Sequence, residues 1–344
     1  MTTPTKLGGF KILKEVVWTS IVATPETPGF AASFCRLLAE GGINLAYLTL
    51  GRGFSRGTMN VVVDAQNGDA VAQRTAHFLG GEGPDFRRAV ILSLFPHRSN
   101  PHVMGALLGA LGRQEVRPMA LASSSSAVSM VLGEEAAERA AASLFGPFNF
   151  SAYRTPSDWK LAQKGKEALY KEVVASYQEK RPKVYALEWQ DEQQLLAVTS
   201  ESSDLGRLGA VFQDFARMDL SLNFLVASLS EGGEKVRLLF SLPGLKGQNY
   251  PGIIESRLPH GASSDMYPVG VFSMNGPHFG DRYGIARDLL TAFDQDRVEL
   301  LGLCCSIHSI TGAVPANMMQ PAIRAIQGCF EVPSVIKKTP FISR

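Results

Sequence analysis

The sequence predicts an α+β fold of four tandem βαββαβ modules, antiparallel sheets with helices on one face. Three observations carry this expectation. The chain has 344 residues, room for several domains with buried cores. Hydrophobic residues make up 45%, an ordinary globular share. Above all, the chain repeats itself. Ile21-Val22-Ala23-Thr24-Pro25-Glu26-Thr27-Pro28-Gly29-Phe30 matches Leu196-Ala197-Val198-Thr199-Ser200-Glu201-Ser202-Ser203-Asp204-Leu205: an apolar run, a Thr-x-Glu turn, then a helix start. At nearly the same spacing, Val90-Ile91-Leu92-Ser93 leading to Pro96-His97 matches Val271-Phe272-Ser273 leading to Pro277-His278, and residues 121–129 match 303–311. A two-module block is therefore expected to be duplicated.

In the first module, residues 17–23 read as a strand, rich in β-branched side chains. Residues 29–40 read as an amphipathic helix with Phe30, Phe34, Leu37 and Leu38 on one face. Pro28 stands before it, and Gly41-Gly42 ends it. Strands follow at 43–50 and 58–63, then a helix at 69–79. The second module has strands at 89–95, 116–123 and 127–132, with helices at 101–111 and 134–144. Residues 153–182 carry Trp159, Leu169, Tyr170, Val173 and Tyr177 near helical spacing among many charges, and read as a connector helix packed on its own chain. The third module has strands at 194–199, 220–229 and 235–242 and a helix at 204–217; a degenerate segment, 250–258, replaces its second helix. The fourth has strands at 269–274, 299–307 and 309–314, with helices at 281–293 and 319–330. The expected boundaries are 1–15 for a tail, 16–86 and 87–153 for two modules, 154–182 for the connector, and 183–265 and 266–344 for the other two.

Such a module is ferredoxin-like, a fold shared by many functions. Its residues are more specific. Thr24-Pro25-Glu26-Thr27-Pro28-Gly29-Phe30, then a helix, then Gly42-Ile43-Asn44-Leu45, resembles the ACT domain family, with its Pro-Gly loop before the first helix and its Ile-Asn-Val-like second strand. Ser123-Ser124-Ser125-Ser126-Ala127-Val128-Ser129 resembles a Ser/Thr-rich hairpin in the second ACT module of aspartate kinases. The pattern as a whole is similar to the regulatory region of those enzymes. The kinase domain is expected to be absent: Lys6-Leu7-Gly8-Gly9-Phe10 lacks the hydroxyl residues of their Lys-Phe-Gly-Gly-Thr start. Module three departs from the family pattern with Ser203-Asp204 in place of Pro-Gly, and module two with Asn100-Pro101. Module one lacks an obvious fourth strand, which residues 148–153 or 183–189 could supply.

The resemblance implies a non-catalytic protein that senses a small molecule, an amino acid, at module interfaces, and so serves allosteric regulation. A helix N-terminus offers free N–H groups to a carboxylate, and a glycine there lets the ligand come close. The candidate contacts are Glu26, Thr27, Pro28, Gly29 and Phe30 on the first loop, with Asn44 and Leu45 on the following strand. The matching positions elsewhere are Ser203, Asp204 and Asn223, and Asn275, Gly280 and Asp281. Two alternatives stand beside this reading: a regulatory subunit of an amino-acid biosynthetic enzyme such as aspartate kinase, and a purely structural oligomerisation module. A partner enzyme and a homodimer through sheet edges are the expected assemblies.

Other classes find no support. Net charge is +2, without the clustered basic face of a nucleic-acid binder. The start is polar, unlike a secretory signal, and no apolar run reaches membrane-span length, so a cytoplasmic location is expected. The four cysteines lack CxxC spacing and read as buried thiols. His97 and His278 lack partners at metal-ligand spacing, so neither metal nor cofactor is expected.

Overall fold

A small sheet with helices on one face leaves its other face and its edges bare. This chain covers both by merging its sheets. A computed structural model describes residues 4–23, 29–52, 57–81, 83–96, 99–124, 127–163, 181–230, 232–258, 263–276, 279, 282–306 and 309–339.

The first half runs β1 (Thr5–Leu7), β2 (Gly9–Ala23), α1 (Phe30–Glu40), β3 (Tyr47–Arg52), β4 (Gly57–Asp64), α2 (Gly68–Leu79), β5 (Arg87–Phe95), α3 (Pro101–Arg113), β6 (Ala120–Ser123), β7 (Val128–Gly133), α4 (Ala137–Ser143), β8 (Phe148–Phe150) and α5 (Pro156–Gln163). The second runs β9 (Ala186–Glu201), α6 (Leu205–Arg217), β10 (Phe224–Leu229), β11 (Lys235–Pro243), α7 (Tyr250–Arg257), β12 (Ser263–Asn275), α8 (Ile285–Gln295), β13 (Gly302–Ser306), β14 (Ile310–Pro315), α9 (Met319–Cys329) and β15 (Val335–Lys337).

The expectation of four tandem modules with antiparallel sheets is corrected. Among the described residues the main sheet has 13 strands, in the order β11-β10-β6-β7-β5-β2-β4-β3-β13-β14-β12-β9-β15, and it is mixed because β15 runs parallel to β9. The reason lies in the first strands. β2 pairs with β4 through residues 16–23 and with β5 through 9–13 and 16–18, so β5 closes one unit while opening the next. β12 does the same between β9 and β14. The halves then join edge to edge, β6 to β10 and β3 to β13, and a β9–β11 pairing closes the sheet on itself. Residues 9–13, expected as tail, are thus sheet. Residues 148–150 pair with β1 rather than completing the first unit.

Closure sorts the core into three clusters. Val16, Tyr47, Phe224, Val226, Val271 and Cys304 belong to one built from strands facing inward. Gly302 permits its tightest approach: a Cβ there would stand 2.6 Å from Phe224 Cζ. The outer faces carry helices. α3 and α6 cover one side with Leu107, Leu111, Phe212 and Phe215; α1, α8 and α9 cover the other with Phe34, Leu38, Leu289, Phe293 and Ile326.

The segment expected to be degenerate is the helix α7, because Asn249 caps it by accepting from Gly252 N at 3.0 Å and Pro251 starts it. The connector begins as α5, where Trp159 stacks on Phe10 at 5.1 Å; residues 164–180 lie outside the described residues. No helix among the described residues is long and apolar enough to cross a membrane.

Candidate functional site

Among the described residues two helix pairs, α3–α6 and α1–α8, bridge the halves, and they differ in kind. At the α3–α6 junction backbone meets backbone. A Cβ on Gly105 would lie 2.7 Å from Gly209 O, and one on Gly209 equally close to Gly105 O; one on Gly112 would lie 2.9 Å from Gly206 N. His102 Nδ1 and Gln213 Oε1, 2.6 Å apart, close the rim. No ligand fits between helices at that spacing.

The α1–α8 junction is open and charged. The two helices run antiparallel, and each starts from a left-handed glycine: Gly29 at φ 72° and Gly284 at φ 90°. Their surroundings have opposite sign. At the start of α1, Asp294 Oδ2 lies 3.1 Å from where a Gly29 Cβ would stand, so a carboxylate of the chain itself stands beside that glycine. Burial pushes the Asp294 carboxyl above its usual range, with Arg36 opposing. At the start of α8 the nearest atoms to Gly284 belong to the Arg287 guanidinium, at 3.0 Å.

Beside Gly284 a small pocket of about 30 Å³ is lined by Asn44, Leu45, Arg282, Arg287 and Ser306, with Cys35 and Cys305 behind them. Arg282 and Arg287 also line a cleft of about 710 Å³ between α1, α8 and α9. A helix N-terminus, two guanidiniums and an amide thus meet at one place, groups suited to a carboxylate, while the Ser306 hydroxyl at its edge donates to Ser309 O at 3.3 Å. Burial disfavours the thiolate form of both cysteines. Burial pushes Cys35 up to about 12 and Cys305 well above its ordinary value.

Of the residues singled out in the sequence, Asn44 and Leu45 reach this pocket. Gly29 lies at the far end of α1 beside Asp294, and Phe30 packs on Phe78 with ring centroids 5.5 Å apart. Glu26, Thr27, Pro28, Gly280 and Asp281 lie outside the described residues, as do His97 and His278. The third-unit residues belong to the sealed junction. Ser203 is exposed, Asp204 faces Arg207 at 3.4 Å, and Asn223 donates to Gln193 Oε1 at 3.0 Å and Ser221 Oγ at 3.2 Å. Asn275 ends β12, where its carbonyl accepts from Tyr185 N at 2.9 Å. Arg282, Arg287, Ser306 and Asp294 are not among the residues that the sequence singles out. The signal that could have found two of them is Arg282-Tyr283-Gly284-Ile285-Ala286-Arg287, basic residues either side of a glycine that opens an apolar-periodic helix. Among the described residues no group of His, Cys, Asp and Glu could hold a metal ion.

No protein-family model matches the chain, and no curated protein matches it. Solved structures do. An aspartate kinase from Synechocystis superposes on 97% of this chain with a TM-score of 0.78 at 14% sequence identity. The ligand-free regulatory subunit of aspartate kinase from Thermus thermophilus covers 42% of this chain with a TM-score of 0.38 at 22% identity, over 99% of its own length. The likeness that spans the chain is to an enzyme. It overturns the expectations of an ACT array without its kinase, of a non-catalytic sensor, and of a protein that is only a regulatory subunit or only an assembly module. At 14% identity the likeness is one of fold, and this chain spans 58% of the Synechocystis chain.

Proposed function

We propose that the chain works in an aspartate-kinase-type enzyme, whose chemistry is phosphoryl transfer to a carboxylate, and that an amino acid bound at the α1–α8 junction sets its activity. One observation carries the binding part: of two helix junctions joining the halves, one is sealed by backbone contact and the other gathers carboxylate-binding donors around Asn44. The amino acid's carboxylate would sit at the start of α8 between Arg282 and Arg287, with Asn44 and Ser306 facing its amino end. The kinase part draws its support from the likeness in fold to an aspartate kinase.

The test joins calorimetric titration with each amino acid to an assay of ADP release from ATP and aspartate. The expected result is saturable binding of one or a few amino acids, abolished in Asn44→Ala, and an ADP-release rate that changes on saturation. Absence of binding at millimolar concentration would sink the binding role. Absence of ADP release, from the chain alone and from the chain mixed with a candidate partner enzyme, would sink the kinase role.

A homodimer, where one forms, would use β15. Its outer backbone groups pair with no strand among the described residues, and Val335 and Ile336 are 39% and 44% exposed. Sedimentation of Ile336→Lys against the parent chain checks this. Four unpaired cysteines, three of them buried, suit a reducing cytoplasm.

A further inference from the structure

The larger cleft asks for a different guest. Arg36 of α1, Arg282 and Arg287 at the start of α8, and Arg324 of α9 line one concavity, with Arg181 entering from the side. Three carboxylates share it: Glu40, Asp288 and Asp296. Arg287 pairs with Asp288 through Nε and Nη2, 2.8 and 2.6 Å from Oδ1, and its Nη1 bonds to no described residue. Arg181 closes the end of α9 by donating to Gln327 O and Phe330 O. Arg282 and Arg324 make no ion pair among the described residues.

We propose that the cleft between α1, α8 and α9 binds a compact polyphosphate-type anion, held by Arg36, Arg282, Arg287 and Arg324. Among the described residues its lining holds no aromatic ring on which a base could stack, and its concentration of guanidiniums favours phosphate oxygens in pairs. Arg282 and Arg287 also serve the pocket beside Asn44, so the anion would orient the two side chains that an amino acid meets. The site stands whether or not the amino acid binds.

Calorimetric titration of the full chain with inorganic pyrophosphate tests it, with ADP as the second arm. The expected result is one saturable site whose affinity falls steeply with added salt. Arg36→Ala/Arg324→Ala, two exposed helix positions away from Asn44, should weaken pyrophosphate about tenfold or more, each lost contact being charge-assisted. ADP should bind no tighter than pyrophosphate. Arg324→Ala alone gives the same reading, a weaker effect in the same direction, if the double variant folds poorly. No pyrophosphate binding, affinity unchanged in the folded variants, or ADP binding where pyrophosphate does not would each overturn the proposal.

Discussion

At the scale of single residues, four helix ends show how tertiary context fixes backbone that local sequence leaves open. α1, α3, α6 and α8 each end in a left-handed residue: Gly42 at φ 66°, Glu115 at 52°, Asp219 at 53° and Arg297 at 53°. The following amide reaches back across the turn each time, Ile43 to Leu38 O, Val116 to Leu111 O, Leu220 to Phe215 O and Val298 to Phe293 O. The same pairs are buried, as this cap requires. A left-handed non-glycine costs about 1–2 kcal/mol, while glycine's extra freedom in the unfolded chain costs about 0.5–1 kcal/mol. Glu115→Gly and Arg297→Gly should therefore raise the denaturant midpoint, by about 0.5–1 kcal/mol in stability. A lower midpoint would refute the strain argument. Asp294 is the residue whose charge the fold opposes. Its pKa is raised, so the native state binds the proton more tightly than the unfolded chain. The resulting stability is full below the unfolded carboxyl value and disappears as pH rises through the folded one. Asp294→Asn should thus raise Tm slightly at pH 7, by under about 1 kcal/mol for so solvent-screened a group, and the gain should vanish in acid. An equal gain at every pH would mean that the charge is not its source.

At the scale of elements, the helices were largely legible and their contacts were not. The 3.6-residue spacing of Phe30, Phe34 and Leu38 located α1, and Leu107, Leu108 and Leu111 located α3, because burial of an apolar face dominates there. α7 was hidden because a capping asparagine and a first-turn proline, not periodicity, define it. The long first strands were hidden because their pairing partners lie far along the chain. The glycines of α3 and α6 were visible in the sequence, but which pair seals and which is idle depends on the facing backbone. Gly209→Ala should cost about 1–3 kcal/mol, since its Cβ would meet Gly105 O at 2.7 Å and backbone cannot turn aside. Gly206→Ala, with nothing within 4 Å of its Cβ, should be neutral or mildly stabilising. Urea unfolding of the two variants decides the matter: similar losses at both positions would mean that helix contact is not the cause.

At the scale of the whole molecule, the sheet has no separable module. The sequence repeat pointed to one small unit used again and again, and local pattern could not show that β5 and β12 each serve two units or that the ends of the circuit meet. The candidate site shared that fate. Asn44 and Leu45 were legible from their place after a helix, while Arg282, Arg287 and Ser306 come from the other half and are brought to them by the β3–β13 pairing and the α1–α8 contact. Closure also makes a strong demand on folding. One outer core mixes Leu107, Leu111 and Val128 with Phe212, Phe215 and Leu238; the other mixes Phe34 and Leu38 with Leu289, Phe293 and Ile326. A half on its own would leave the edges of β3 and β6 unpaired and two apolar faces wet. Residues 1–163 expressed alone should therefore be aggregated or unfolded, and so should 181–344. Refolded together, the two fragments should recover a soluble one-to-one complex that melts in a single transition below that of the intact chain, because the link between them no longer limits the unfolded state. The check is size-exclusion chromatography followed by calorimetry. A soluble, cooperatively folded monomer of residues 1–163 would show that the halves are independent domains resting against each other, and that the closed sheet does not hold the molecule together.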